Sequence, residues 1–227
     1  MGKNKLKHFA ENDTFPNMFQ PFYEELQSGY EMKGRWNEVF FKNDHPIVLE
    51  LGCGKGEYTV GLGKKYPNKN FIGIDVKGSR MWRGCKTSIE DGMTNIAFIR
   101  SKIQLIEYIF AENEISEIWI TFPDPQPRHA RQNRRLTSPK MLLKYSQIIK
   151  NQGIIHLKTD NEPLFDYTLE VIQEDEHQLI EAIKDLHSAD GFEDAKSIKT
   201  YYEKLFGEKG FKINYLQFRL NANIQGL

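Results

Sequence analysis

The stretch "VLELGCGKGEYT", residues 48–59, decides how the rest of the chain is read. Its first half is a short apolar run, the pattern of a strand buried on both faces of a parallel sheet. Its second half spaces Gly52, Gly54 and Gly56 two residues apart, ahead of residues 57–66, which suit a helix. Glycines between a strand and a helix allow a tight turn and let a ligand approach the backbone closely. The spacing is G-x-G-x-G, with Glu57 where a dinucleotide loop would carry its third glycine. Lys55 is not followed by Ser or Thr, so the loop is not a phosphate-binding P-loop either.

Two carboxylates give this loop its chemistry. Glu50 lies inside an otherwise apolar strand, where a charge is costly unless it has a partner. A cationic ligand would supply one. The next apolar run, "FIGID", ends at Asp75, and a carboxylate there can accept both hydroxyls of a ribose. S-adenosylmethionine has a ribose, an ammonium and a sulfonium but no phosphate, so it suits this pair better than a pyrophosphate does. A bare glycine triplet would equally suit an ordinary packed turn; Glu50 and Asp75 favour the ligand. Cys53 has no histidine near it in sequence and reads as a small loop residue.

Outward from this loop the period alternates. Residues 47–51, 71–75, 96–100, 117–122 and 154–158 read as strands, and 57–66, 79–91, 103–112, 138–150 and 163–174 as helices. Such alternation implies βαβ units around a parallel sheet. Residues 177–183 suit a further strand, 197–206 a short helix, and "FKINYLQFRL" (211–220) a last strand added antiparallel at the sheet edge. Residues 21–42 have helical periodicity. Residues 1–20, with Lys3, Lys5, Lys7 and His8, are expected to form a flexible basic tail ahead of one domain spanning 21–227.

Composition bounds the function more weakly. Hydrophobic residues at 39% and aromatics at 12% suffice for a sizeable core in 227 residues, which excludes a disordered chain. Lys+Arg and Asp+Glu both number 31, so any case for a polyanionic partner rests on local charge. Two cysteines make neither a disulfide framework nor a metal cluster, and no metal is expected. No apolar run approaches a membrane span and the N-terminus lacks an apolar signal core, so a cytoplasmic setting without membrane contact is expected.

The local charge lies in "WITFPDPQPRHARQNRRL", residues 119–136. A strand ends in Asp124, held between Pro123 and Pro125, which restrict the backbone on both sides. Ligands sit at the carboxyl ends of the strands in such sheets, so Asp124 is expected in the same crevice as the glycine loop. Arg128, His129, Arg131, Arg134 and Arg135 follow, cations only, while acids such as Glu170, Glu174, Asp175 and Glu176 lie elsewhere. That segregation suits a phosphate backbone. "HLKTDN" (156–161) and "TYYEKLF" (200–206) are expected on the same side of the sheet, where Asp160 and Glu203 could accept the donors of a guanine's Watson–Crick edge.

With "ELGCGKG", "GID", "FPDP" followed by "RRLTSPKML", "HLKTDN" and "TYYEKLF" in order across residues 20–220, the chain resembles the bacterial tRNA (guanine-N7-)-methyltransferase family. The resemblance implies a Rossmann-like, class I S-adenosylmethionine-dependent methyltransferase fold, with a mostly parallel seven-stranded sheet and an antiparallel last strand. It implies methylation of the variable-loop guanosine at tRNA position 46, by a monomer or a homodimer. Glu50, Asp75 and Asp124 match positions that contact the cofactor or lie at the catalytic centre. Arg128, Asp160 and Thr200, Tyr201, Tyr202 and Glu203 match substrate-contacting positions. The sequence departs from the family pattern at Gln126, where Trp is frequent, and at Lys102, where an acidic residue is frequent. Backbone groups near Lys102 would then have to hold the adenine amino group.

Guanine N7 carries no proton, so its methylation needs alignment and electrostatics and no general base. Asp124 is expected to orient the base or stabilise its developing positive charge, and Arg128, Arg131, Arg134 and Arg135 to grip tRNA phosphates. The competing readings are a methyltransferase acting on adenine amino groups or protein, a non-catalytic tRNA-binding protein, and a nicotinamide-dependent oxidoreductase.

Overall fold

The computed structural model describes residues 2–200, Glu203 and residues 210–221. The sheet has eight strands: β1 (Met18–Phe19), β2 (Ile47–Leu51), β3 (Asn70–Asp75), β4 (Ile96–Arg100), β5 (Ile115–Thr121), β6 (Ile149–Thr159), β7 (Gln178–Ile183) and β8 (Asn214–Arg219), in the order β1-β4-β3-β2-β5-β6-β8-β7. All pairings are parallel except those of β8 with β6 and β7. The expected seven strands are joined by the two-residue β1 at one edge. The antiparallel last strand is present, but it lies inside the edge, with β7 outside it. Burial explains the order: Tyr215, Leu216 and Phe218 of β8 are buried, whereas β7 is mostly exposed.

The helices are α1 (Gly2–Asn12), α2 (Tyr23–Gly29), α3 (Glu57–Lys65), α4 (Gly78–Glu90), α5 (Ile106–Ile109), α6 (Pro139–Ser146), α7 (Glu162–Glu174) and α8 (Glu193–Ser197). Strand side chains alternate between two cores, as a pleated sheet covered on both faces requires. Leu49, Leu51, Ile72, Ile74, Ile118 and Ile120 join one core, and Val48, Phe71, Phe98 and Trp119 the other. Among the described residues no helix is long and apolar enough to cross a membrane.

Several elements differ from the periodicity. The helix expected over 21–42 is interrupted by Gly29 and Gly34, both with positive φ, leaving α2 and a π-helical turn, Trp36–Phe41. The segment 103–112 divides into a 3₁₀ turn, Ile103–Leu105, and the short α5. The basic tail is not loose over residues 2–12, which form α1. Asn12 donates to the Gly78 carbonyl at 2.9 Å, and the His8 ring stacks on Trp82 with centroids 4.0 Å apart.

Following β4, β3, β2 and then β5, β6 along the sheet, chain order reverses between β2 and β5. A crevice opens at such a reversal, outside the carboxyl ends of the strands. The glycine loop leaves β2 there, and the Pro123–Asp124–Pro125 segment leaves β5 beside it.

Candidate active site

A cavity of about 290 Å³ lies at this reversal, lined by Glu50, Gly52, Gly54, Lys55, Glu57, Arg80, Thr121, Phe122 and Thr200 among others. Gly52, Gly54 and Gly56 all have positive φ, between 56° and 76°. Their roles differ. A Cβ on Gly52 would meet nothing within 4 Å, so this backbone faces open space where a ligand can approach. A Cβ on Gly56 would stand 2.5 Å from the Phe98 ring, so this glycine permits close packing of α3 on the sheet.

Glu50 is buried, and the protein itself supplies its partners. One carboxylate oxygen accepts the Thr59 backbone N–H at 2.8 Å and the Thr59 hydroxyl at 2.5 Å; the other accepts the Thr121 hydroxyl at 2.9 Å. Burial still dominates these bonds and pushes the carboxyl pKa up to about 7. Thr59 and Thr121 escaped the sequence reading. The available signal was partial: Thr121 ends the β5 run, one residue past Ile120, which lies opposite Leu51 in the β2–β5 register, whereas Thr59 sits in the first turn of α3.

Asp75 ends β3 with its carboxylate fixed from two sides. It accepts the Gly54 N–H at 3.0 Å and the Lys77 N–H at 2.8 Å. It borders an adjoining cavity of about 570 Å³, together with Val76, Lys77, Arg80, Ile103, Phe122, Asp124, Gln126, Arg134 and Asp160. Val76 is 52% exposed, a large apolar side chain left open to this space. Lys102 is exposed and begins the 3₁₀ turn; Ile103 is the residue of that turn that faces the cavity.

These groups fit S-adenosylmethionine by chemistry: carboxylates for its ribose and ammonium, and the open apolar surfaces of Val76 and Ile103 for its adenine. The glycine backbone leaves room beside them.

Asp124 is exposed at the rim. One of its oxygens accepts the Gln126 N–H at 3.0 Å, closing a tight turn, and Phe122 and Gln126 on either side both have positive φ (48° and 44°). Asp160 borders the same cavity, with burial raising its carboxyl pKa. Asn161 beside it caps α7, its side chain accepting the Leu164 N–H at 2.9 Å.

The basic run divides. Arg128 precedes the 3₁₀ turn His129–Arg134, and Arg128, Arg131 and Arg134 are exposed. Arg135 is not available to a phosphate. It is buried, with its guanidinium 4.1 Å over the Tyr167 ring and its Nε 3.2 Å from the Pro125 carbonyl. It braces the Asp124 loop against α7. Thr200 lines the first cavity, while Tyr201 and Tyr202 fall outside the described residues. Glu203 is buried and holds Lys158 at 2.7 Å and His187 at 2.9 Å, away from the position expected of a base-reading carboxylate.

A glycine loop and a carboxylate at the end of the next strand, set at the switch point of a sheet ending in an antiparallel strand, are the architecture of a class I S-adenosylmethionine-dependent methyltransferase. Solved methyltransferase structures share this fold. One titled as an antibiotic-related methyltransferase superposes with a TM-score of 0.63 at 15% identity, covering 82% of this chain and 92% of that one. The 16S rRNA methyltransferase KamB gives 0.61 at 14% identity, covering 88% and 93%. At these identities the likeness concerns the fold. A family profile described as "Putative methyltransferase" matches residues 44–216. The tRNA (guanine-N(7)-)-methyltransferase of Christiangramia forsetii is 52% identical, over 96% of this chain and 98% of its own length. That of Bacteroides thetaiotaomicron is 49% identical, over 97% and 87%. The chain belongs to the tRNA (guanine-N(7)-)-methyltransferase family.

Proposed function

We propose that this protein transfers the methyl group of S-adenosylmethionine to N7 of a guanine in tRNA, at the variable-loop position 46. The observation that carries this reading is the junction of the two cavities: the pocket lined by Glu50 shares Gly52, Gly54, Arg80 and Phe122 with the cavity lined by Asp75, Asp124, Asp160 and Arg134. The names of the relatives supply the substrate class. Bound there, the cofactor supplies an electrophilic methyl group on a sulfonium.

The chain's own residues then orient and stabilise. Asp75, oriented by two backbone N–H groups, holds the ribose. Asp124 faces the base and offsets the positive charge that the ring gains on methylation. Asp160 accepts from the donors of the base edge. Arg128, Arg131 and Arg134 meet phosphates along the exposed flank and fix where the loop enters, with the base turned out of its stack. No residue need remove a proton, because N7 presents a lone pair.

The test is transfer of labelled methyl from S-adenosylmethionine to bulk bacterial tRNA, followed by nucleoside separation. Label in 7-methylguanosine supports the reading. Label in another nucleoside keeps cofactor and fold but overturns the substrate. Cofactor binding without transfer favours a binding protein.

A further inference from the structure

The side chain of Lys158 is fully buried, and its aliphatic stem runs from the end of β6 towards α3 and α8. An ammonium has three donors, and all three are used. They go to the Tyr58 hydroxyl at 3.0 Å, to the Ala195 carbonyl, and to the Glu203 carboxylate at 2.7 Å. The three partners come from different parts of the chain, and two of them adjoin residues of the cofactor cavity. Tyr58 is in the first turn of α3, immediately before Thr59, which holds Glu50. Ala195 is in α8. Glu203 donates its backbone N–H to the Thr200 hydroxyl at 3.1 Å, and Thr200 lines the cavity. The backbone of Lys158 also reaches the catalytic side: its carbonyl accepts the N–H of Phe122, the residue before Pro123–Asp124, at 2.8 Å.

We propose that Lys158 and Glu203 form a positioning latch that holds Thr200 in the wall of the S-adenosylmethionine cavity. The pair acts on cofactor affinity and alignment, and neither residue touches the guanine. This rests on the methyltransferase reading above and assigns Glu203 differently from a base-reading carboxylate. The carboxylate is committed on both sides, to Lys158 through one oxygen and to His187 through the other, and Glu203 is 3% exposed. Burial lowers the pKa of the Lys158 ammonium and the Glu203 carboxylate opposes that effect, as expected of an internal pair whose charges depend on each other. Removing one member leaves the other buried without the opposite charge that balances it; removing both does not.

The experiment compares Glu203→Gln, Lys158→Met and the double variant by steady-state kinetics, with cofactor and tRNA varied separately. The latch predicts that each single change raises the cofactor KM at least tenfold and leaves the tRNA KM within twofold. It also predicts that the double variant recovers part of the cofactor affinity lost by either single one. A rise in tRNA KM with unchanged cofactor KM in Glu203→Gln would overturn it, as would normal kinetics in that variant. Should Lys158→Met not fold, the near-isosteric Glu203→Gln decides alone by the same split. Calorimetric binding of S-adenosylhomocysteine to the same variants reads the latch without any tRNA. Failure of the tRNA assignment, seen as wild-type protein that transfers no methyl to tRNA, is therefore distinguishable from failure of the latch.

Discussion

Glu50 connects ligand binding to pH. Its carboxyl is raised from the ordinary 4.5 to about 7 by burial, against the pull of the Thr59 and Thr121 hydroxyls and the Thr59 N–H. A carboxyl raised in the fold binds its proton more tightly when folded, so ligand-free stability is lost as pH rises from about 4.5 through 7. At 1.36 kcal/mol per pKa unit the loss is on the order of 3 kcal/mol. A cofactor ammonium beside Glu50 favours the carboxylate and reverses the penalty. The thermal upshift caused by S-adenosylhomocysteine should therefore be larger at pH 8 than at pH 6. Glu50→Gln should make the two upshifts alike and leave the ligand-free protein relatively more stable at pH 8. Differential scanning fluorimetry at both pH values measures this, and equal upshifts in the wild type would refute it. Asp124 makes the opposite kind of prediction. It is exposed and its one described internal bond is to the Gln126 N–H, so Asp124→Ala should leave the melting temperature nearly unchanged. Methyl transfer should fall at least a hundredfold, the scale of losing one electrostatic stabiliser. Near-normal transfer would remove Asp124 from its role.

The element after β5 is both a charge run and a brace. Arg135 stacks on Tyr167 of α7 and bonds the Pro125 carbonyl, so its planar fork fixes the loop that carries Asp124. A lysine cannot reproduce that geometry. Arg135→Lys should lower kcat about tenfold while leaving the salt dependence of tRNA binding as it is. Arg134→Ala should reduce the slope of log affinity against log salt by about one and leave kcat at saturating tRNA close to normal. Filter binding across a salt series, alongside kinetics, separates the two; a flattened slope in Arg135→Lys would return that residue to the phosphates. Sequence could not divide this run, because four arginines look alike until packing buries one of them. It did locate the strands at the crevice, since fully buried strands read as apolar runs whatever surrounds them. The place of Glu50, Asp75 and Asp124 along the crevice was legible because each is a carboxylate at or near the end of such a run. The partners that give Glu50 its character were not, since Thr59 and Thr121 reach it from other elements. Nor was the commitment of Glu203, whose partner Lys158 lies 45 residues away.

On the scale of the molecule, the N-terminal helix extends the fold to the back of the cofactor crevice. The residues that follow Asp75 turn into α4, and α1 packs along that helix. His8 Nδ1 lies 3.2 Å from the Ser79 carbonyl, Asn12 donates to the Gly78 carbonyl, and His8 stacks flat on Trp82. Glu11 accepts the Trp82 indole N–H at 2.7 Å, and its carboxyl pKa is lowered chiefly by that bond. Basic residues near the chain start suggested a loose tail, because the tertiary partner that orders them, Trp82, lies far along the sequence. An aromatic stack and one buried hydrogen bond are together worth about 2 kcal/mol. For a chain of this size that corresponds to a melting temperature lower by about 4–8 °C. Deleting residues 2–12, or Trp82→Ala in the full chain, should produce a drop of that order. Because α1 grips the first turn of α4, directly after Asp75 and Lys77, the same changes should weaken cofactor binding several-fold without altering the protein's preference among tRNAs. Calorimetric titration with S-adenosylhomocysteine measures the first effect and methylation of single purified tRNAs the second. A deletion variant with wild-type melting and cofactor affinity would show that α1 takes no part in holding the crevice.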